Sequence, residues 1–250
     1  MNSLYVASTG MMNQQLYIDV ISNNLANINT PGYKRSEINF KDLYYQDLEI
    51  GDDRSVRIGL GSKVDGVNKI FTQGSLGETG NLLDLAIDGE GFFKILMPDG
   101  SFGYTRDGSF RMDAEGNVVT VEGYKLEPSI IIEESFSELV ISKDGIVSII
   151  PFESEEAVEK GKITLVKFAN PSGLASVSGN IYAETEASGV PIDDNGDGTF
   201  GLIRQGFIEG ANINVIEEMV NLIVAQRAYE INSKVIKAAD DMMGITNNIQ

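Results

Sequence analysis

The residues best suited to chemistry in this chain are acidic, because the sequence contains neither cysteine nor histidine. Asp193, Asn195, Asp197 and Gly198 follow the order and spacing of the first half of a calcium-binding loop. The twelfth position of such a loop normally supplies a bidentate glutamate, but here it is Arg204, whose positive charge opposes cation binding. We therefore interpret the segment as a polar hairpin turn and expect no metal or cofactor.

Pairs of adjacent carboxylates are the other candidates for chemistry, at Glu133-Glu134, Glu155-Glu156 and Glu217-Glu218. Adjacent carboxylates are usually solvated, and nothing in the sequence places two of them across a cleft. The missing residue types also remove thiol nucleophiles, cysteine-ligated zinc and imidazole acid–base catalysis. We expect no enzyme activity. A secreted β-rich enzyme or adhesin acting on glycans, with a helical dimer clamp, is the alternative from a different functional class.

Length and charge restrict the partners of the chain. Its 250 residues carry a net charge of −18, which disfavours nucleic acid as a partner because phosphates would be repelled. No apolar run approaches the roughly 20 residues that span a bilayer, so membrane insertion is not expected. Polar residues interrupt the N-terminal apolar pattern, which predicts that there is no cleavable signal peptide.

The elements that stand out are helix-patterned segments at both ends, from about Asn2 and from about Asn214 to Ile249. Apolar residues alternate at spacings of three and four, which places them on one stripe of a coiled-coil-like helix. The N-terminal stripe contains Leu4, Ala7, Met11, Ile18, Ile21, Leu25 and Ile28. The C-terminal stripe contains Val224, Ala228, Ile231, Val235, Ala238, Met242 and Ile245, with Arg227 beside them. We predict that the two stripes pack together and against neighbouring copies of the chain.

Both segments also carry apolar side chains outside these stripes. They include Val6, Met12, Leu16, Val20, Val215, Ile216, Val220 and Ile223. A helix that is apolar over more than one face needs more than one neighbour. This pattern predicts polymerisation.

The N-terminal segment has a clear stop signal at Thr30, Pro31 and Gly32. Thr30 is disfavoured in the α region because it precedes proline, and Gly32 tolerates a left-handed turn. The preceding asparagines are weak helix formers whose side chains are predicted to bind partners or backbone; a frayed last turn is equally compatible with them. They are Asn23, Asn24, Asn27 and Asn29.

The middle of the chain alternates short β-branched runs with turn residues every 8–12 positions, which indicates antiparallel strands. We therefore predict an α+β protein with a central antiparallel all-β domain between long terminal helices. The expected divisions are an N-terminal helix over 1–32, an extended or hairpin region over 33–81, a β domain over 82–207 and a C-terminal helix over 208–250. Residues 1–33 carry a charge of −1 and residues 212–250 carry −2, so the acidic charge lies mainly in the middle.

Several segments resemble the flagellar basal-body rod protein family over essentially the whole chain. The residues that carry the resemblance are Ile21–Arg35 (ISNNLANINTPGYKR), Asp84–Phe93 (DLAIDGEGFF), Tyr104–Phe110 (YTRDGSF), Glu209–Val215 (EGANINV) and Ala225–Lys234 (AQRAYEINSK). The last segment is most similar to the distal-rod branch. Between Asp42 and Val64, however, the chain is a few residues shorter than that branch, which leaves the proximal-rod branch as the alternative.

The resemblance implies a structural subunit of a hollow helical drive shaft that transmits torque from motor to hook. The terminal helices would line the inner tube and the β domain would lie outside. The implied partners are further copies of the chain, other axial proteins of the proximal rod and hook, ring bushing proteins and the flagellar export apparatus. The implied location is the periplasmic rod, reached by export without a cleaved signal.

Overall fold

The computed structural model describes residues 2–49, 55–133, 136–152, 156–196 and 198–248. Two long α-helices, α1 (Asn2–Ala26) and α2 (Val215–Asn248), stand at the ends of the described chain, and the strands between them all pair antiparallel. This confirms the predicted α+β class with a central antiparallel β region. Neither α1 nor α2, as far as its residues are described, combines the length and apolarity that crossing a bilayer requires.

Twenty strands and one short 3₁₀ helix (Pro171–Gly173) connect α1 to α2 in the described residues. The strands are β1 (Ser36–Asp42), β2 (Tyr45–Glu49), β3 (Ser55–Gly59), β4 (Ser62–Lys69), β5 (Leu76–Glu78), β6 (Leu85–Asp88), β7 (Phe92–Leu96), β8 (Phe102–Thr105), β9 (Arg111–Met112), β10 (Val118–Val119), β11 (Lys125–Leu126), β12 (Phe136–Ile141), β13 (Ile146–Pro151), β14 (Val158–Lys162), β15 (Leu165–Lys167), β16 (Ala175–Ser178), β17 (Ile181–Ala183), β18 (Ile192–Asp193), β19 (Leu202–Gln205) and β20 (Phe207–Glu209).

The chain divides into two compact units. The helical unit contains Met1–Ala26, Ser36–Lys69 and Ile213–Gln250, and the β unit contains Asn27–Arg35 and Ile70–Asn212. In the helical unit, β1 pairs with β4 and β2 pairs with β3. The segment immediately after α1 (Asn27–Arg35) therefore belongs to the β unit, which ends at Asn212, shortly before α2 begins.

In the helical unit, asparagine side chains of α1 form hydrogen bonds with backbone groups of the β1–β4 pair. The Asn24 amide donates to the Ser36 carbonyl and accepts from the Ser36 N–H, both at 2.9 Å. The Asn13 amide donates to the carbonyl and hydroxyl oxygens of Ser62 at 2.8 Å. Between these two contacts Tyr17 packs edge-to-face on Phe40. These contacts hold the β1–β4 pair in a fixed register along α1.

Helix α1 ends at Ala26, so the predicted helix over 1–32 is too long. Asn27, Ile28 and Asn29 lie in a turn, in which the Asn27 carbonyl accepts the Thr30 N–H at 3.1 Å. The Asn27 side chain also accepts the Thr30 hydroxyl at 3.2 Å. Thr30 precedes Pro31 and is therefore disfavoured in the α conformation, so the helix does not continue through this turn. At the other end Asn214 caps α2 by accepting the Ile216 N–H at 3.1 Å.

In the β unit, a nine-stranded sheet runs in the order β16-β17-β8-β7-β11-β10-β9, with β15 joining at β7 and β18 pairing with β15. Strands β12, β13 and β14 form a second sheet, while β6 pairs with β19 and β5 with β20. The strands and the loops between them fill a core of buried aliphatic and aromatic side chains, including Leu85, Phe93, Ile95, Phe110, Leu126, Ile149 and Ile203.

A buried ion cluster joins the two ends of the β unit. The Glu209 carboxylate accepts a hydrogen bond from the Lys34 ammonium at 2.6 Å and another from the Arg106 guanidinium at 3.1 Å. All three side chains are nearly inaccessible to water. It also accepts the Gly74 N–H at 2.7 Å. Lys34 donates in addition to the Thr72 carbonyl at 2.8 Å. A buried carboxylate is tolerated here because each oxygen is bonded to a cation.

The electrostatics of the cluster depend on Glu209. Burial lowers the pKa of the Lys34 ammonium, and the Glu209 carboxylate opposes that shift, while the Arg106 charge adds to it. Removing the carboxylate would therefore leave two buried cations with no counter-charge.

The turn after α1 docks onto this cluster through its backbone. The Gly32 N–H donates to the Glu209 carbonyl at 2.7 Å, and the Pro31 carbonyl accepts the Asn180 amide at 2.6 Å. Gly32 has a φ of +67°, and a Cβ there would lie 2.5 Å from the Asp107 nitrogen. Only glycine allows the turn to approach the Arg106–Asp107 backbone this closely.

We expect Glu209→Gln to lower the free energy of unfolding of the β unit by about 3–5 kcal/mol, because the amide nitrogen would face a buried cation. Urea unfolding followed by circular dichroism measures this change. The matched control is Glu230→Gln, which breaks the exposed ion pair with Arg227 and should cost less than about 1 kcal/mol. Equal effects of the two variants would contradict the role of the cluster.

A second prediction concerns the close approach at Gly32. Alanine at a left-handed position costs about 1–2 kcal/mol in backbone strain, and Gly32→Ala should cost clearly more because of the clash with Asp107. Gly123→Ala is the control, since Gly123 has a φ of +91° and open space around its Cβ position. The same urea titration compares them, and similar losses for both variants would show that the turn can move away.

Candidate assembly site

The helical unit is built on an antiparallel α1–α2 pair. The Asn24 amide donates to the Glu218 carboxylate at 3.4 Å, and the Asn232 amide lies 2.9 Å from the Cβ position of Gly10. These contacts are fourteen residues apart in each helix and occur in opposite order. Residues whose numbers add to 242 therefore stand opposite one another, which fixes the register of the pair.

The predicted N-terminal stripe lies on the covered side of α1. Ala7 and Ile21 are buried, with Ile21 only 2% exposed, and Leu4, Met11, Ile18 and Leu25 are half-buried. Of the asparagines, Asn24 is buried at the contact with Glu218, Asn23 and Asn29 are exposed, and Asn27 is half-buried. Thr30, Pro31 and Ile28 are half-buried and Gly32 is buried, all in the turn that belongs to the β unit.

The predicted C-terminal stripe is not the covered face of α2. Ala228 is half-buried, but the remaining members of the stripe are exposed: Val224, Arg227, Ile231, Val235, Ala238, Met242 and Ile245. The covered residues come one position later at Ala225, Asn232, Ile236 and Ala239. One residue turns a helix by about 100°. The prediction that the two stripes pack against each other within the chain is therefore wrong for α2, and the stripe faces outward.

The covered face of α2 is displaced because it is partly polar. Glu218 is buried, and Asn221 and Asn232 are half-buried. Asn24 of α1 contacts Glu218, and Gly10 of α1 lies against Asn232. A search for apolar periodicity passes over such residues and selects the neighbouring, more apolar face. Glu218 was expected to be solvated as part of an acidic pair, but it is 3% exposed and bonded to Asn24.

Several apolar side chains outside the stripes are exposed as well. On α1 they are Met12, which is 70% exposed, and Leu16; on α2 they are Val215, Ile216, Val220 and Ile223. Val6 and Val20 are half-buried. Met12 and Leu16 line an open groove of about 410 Å³ together with Ser8, Met11, Gln15, Asp19 and Tyr229. Both helices thus present a second apolar face that the described residues of the helical unit leave uncovered.

The residues considered for chemistry are dispersed. Asp194 accepts the N–H of Gly196 at 2.8 Å, Arg204 forms an ion pair with Asp88 at 2.6 Å, and Asp197 lies outside the described residues. Glu133 pairs with Lys160 at 2.5 Å, while Glu134 and Glu155 fall outside the description, as does Ile249. In the parts of the chain that are described, no three acidic side chains are grouped so as to hold a metal.

The sequence comparisons agree with one family along the chain. Residues 4–34 match the family model "Flagella basal body rod protein", residues 86–149 match "Flagellar hook protein FlgE/F/G D1 domain", and residues 204–249 match "Flagellar basal body rod FlgEFG protein C-terminal". Lys34, Arg106 and Glu209 of the ion cluster lie in or beside the matched segments.

Curated relatives match over almost their whole length. The flagellar basal-body rod protein FlgG of Borreliella burgdorferi is 42% identical over 262 residues, covering 100% of this chain and 99% of the relative. FlgG of Buchnera aphidicola is 44% identical over 251 residues, with 96% of each chain covered. FlgF of Caulobacter vibrioides is 33% identical, covering 94% of this chain and 92% of the relative. The chain belongs to the flagellar basal-body rod protein family.

Proposed function

We propose that this chain is a structural subunit of the flagellar distal rod, which self-assembles into a hollow helical shaft and transmits torque from motor to hook. The function is mechanical and requires no catalytic residue or cofactor. The uncovered apolar face of α2 is the observation that carries the proposal.

That face carries a row of exposed branched aliphatic side chains along α2. Val224, Ile231 and Val235 are exposed, and Ile216 and Val220 continue the same side toward the start of α2. Burying one such side chain contributes roughly 1.5–3 kcal/mol before the entropic cost of association. Large contiguous apolar patches mark interaction surfaces. We take the covering partner to be the helices of other copies, in a coiled-coil-like arrangement.

The two helices expose different surfaces, and this favours a polymer over a closed dimer. The α1 surface is a shallow groove around Met12 and Leu16, whereas the α2 surface is a ridge of branched side chains. A contact between unlike surfaces is heterologous and repeats without closing unless the rotation makes a ring. Such a contact supports a helical shaft.

The distribution of charge supports the same assignment. The helical ends carry little net charge, so many copies can bring them together, while most of the −18 lies between them. We propose that the helical unit lines the central channel and that the acidic β region faces solvent.

Within the family, the distal rod is favoured over the proximal rod. The chain is 42% and 44% identical to the FlgG relatives and 33% identical to FlgF of Caulobacter vibrioides, at similar coverage. The proposed location is the periplasmic part of the basal body, reached by flagellar export without a cleaved signal. The proposed partners are proximal-rod and hook subunits, the ring bushing proteins and the export apparatus.

We expect Ile231→Asp to abolish polymerisation and to leave the single chain folded, because Ile231 is 59% exposed in the chain but would place a charge in the assembled contact. Sedimentation measures polymer, and circular dichroism measures the fold. Gln226→Asp is the matched control, since it adds the same charge to an exposed polar position of α2 and should polymerise normally. Polymerisation of both variants would refute the assigned face.

A cellular experiment tests the place of the subunit in the basal body. Cells that lack the protein should build basal bodies whose rod stops short and carries no hook, as seen by electron microscopy of isolated particles. The Gln226→Asp chain should restore complete rods and the Ile231→Asp chain should not. Normal rods and hooks in its absence would rule out the distal-rod assignment.

A further inference from the structure

The end of α2 extends beyond α1. In the register of the pair, Asp240 stands opposite Asn2, so residues 241–248 continue for about 12 Å past the first described residue of α1. Met243 and Ile245 in this extension are exposed.

The face that packs on α1 continues into this extension. Asn232, Ile236 and Ala239 are buried or half-buried, and Met243 follows at the same spacing but is 45% exposed. The side chain thus has the position of a packing residue, without any described residue of α1 at its level. A helix face of this kind is complete only when a second surface covers it.

The groove on α1 has the size and the chemistry to cover it. The lining from Ser8 to Asp19 extends for about 17 Å along the helix, which accommodates the two turns of the extension. Its apolar floor is formed by Met12 and Leu16, and methionine adapts to irregular surfaces.

The groove cannot be filled by the α2 end of its own chain. Met12 stands opposite Glu230 in the antiparallel register, so Met243 lies about 20 Å farther along the axis. A second copy of the chain supplies an α2 end of matching length and apolarity.

We propose that the α2 extension of one copy, centred on Met243, occupies the α1 groove around Met12 of a second copy, an inference that rests on the proposed self-assembly. The two helices are antiparallel, as they are within one chain. Setting Met243 opposite Met12 offsets the two copies by about 20 Å along the helix axis.

Engineered cysteines test this contact without background, because the chain contains no cysteine. A chain carrying both Met12→Cys and Met243→Cys is polymerised, oxidised and run on a denaturing gel without reductant. Disulfides require Cα atoms within about 7 Å, so the two cysteines can bond only between copies. We expect the monomer band to shift to a ladder of covalent dimers, trimers and longer species, but only at concentrations at which the protein sediments as polymer.

The matched control pairs Met12→Cys with Met219→Cys. Met219 is another exposed methionine of α2, 51% exposed, but it lies near the opposite end of the helix. This chain should polymerise and remain monomeric on the gel. A ladder from the Met219 chain, with none from the Met243 chain, would overturn the inference and assign the groove to the start of α2.

Sedimentation before oxidation separates failure of this contact from failure of the function. Polymer that forms but gives no ladder with the Met243 chain overturns the proposed contact and leaves self-assembly intact. If neither variant nor the unmodified chain polymerises at any concentration, the proposed function fails, and this contact fails with it.

Discussion

The structure depends on the fact that the described residues of the chain cover one partly polar face of α2 and leave a more apolar face uncovered. The face at Ala225, Ile236 and Ala239 is occupied within the helical unit, and the face at Val224, Ile231 and Val235 is left in water. Hydrophobic burial is the largest favourable term in association, so the uncovered face favours assembly over the isolated chain. In the proposed function, assembly follows from this helix geometry.

The polar contacts of the chain have a complementary role, which is to fix positions. Asn24, Asn13 and Glu218 set the register of α1, α2 and the β1–β4 pair, since each would be left unsatisfied if an element slipped. In the β unit the Lys34–Glu209–Arg106 cluster holds the segment after α1 and the segment before α2. Polar contacts of this kind define positions within each unit, because apolar contacts alone allow sliding.

Much of the fold could be predicted from the sequence because it is encoded locally. The spacing of apolar residues indicated the helices, and turn residues between β-branched runs indicated antiparallel strands. The end of α1 was placed too late because the turn begins at Asn27, before Pro31 and Gly32, the residues that mark the stop in the sequence. The covered face of α2 was missed by one residue because Glu218 and Asn232 are polar. The ion cluster could not be predicted, since its members are 72 and 103 residues apart along the chain and meet only through the fold.

In the proposed polymer, other copies of the chain cover the outward face of α2. A cryo-EM reconstruction of the polymer at side-chain resolution tests this directly. We predict that Val224, Ile231 and Val235 are buried against helices of other copies around a central channel. Outward-facing residues that stay in contact with solvent, in a polymer held together through the β units alone, would contradict the account.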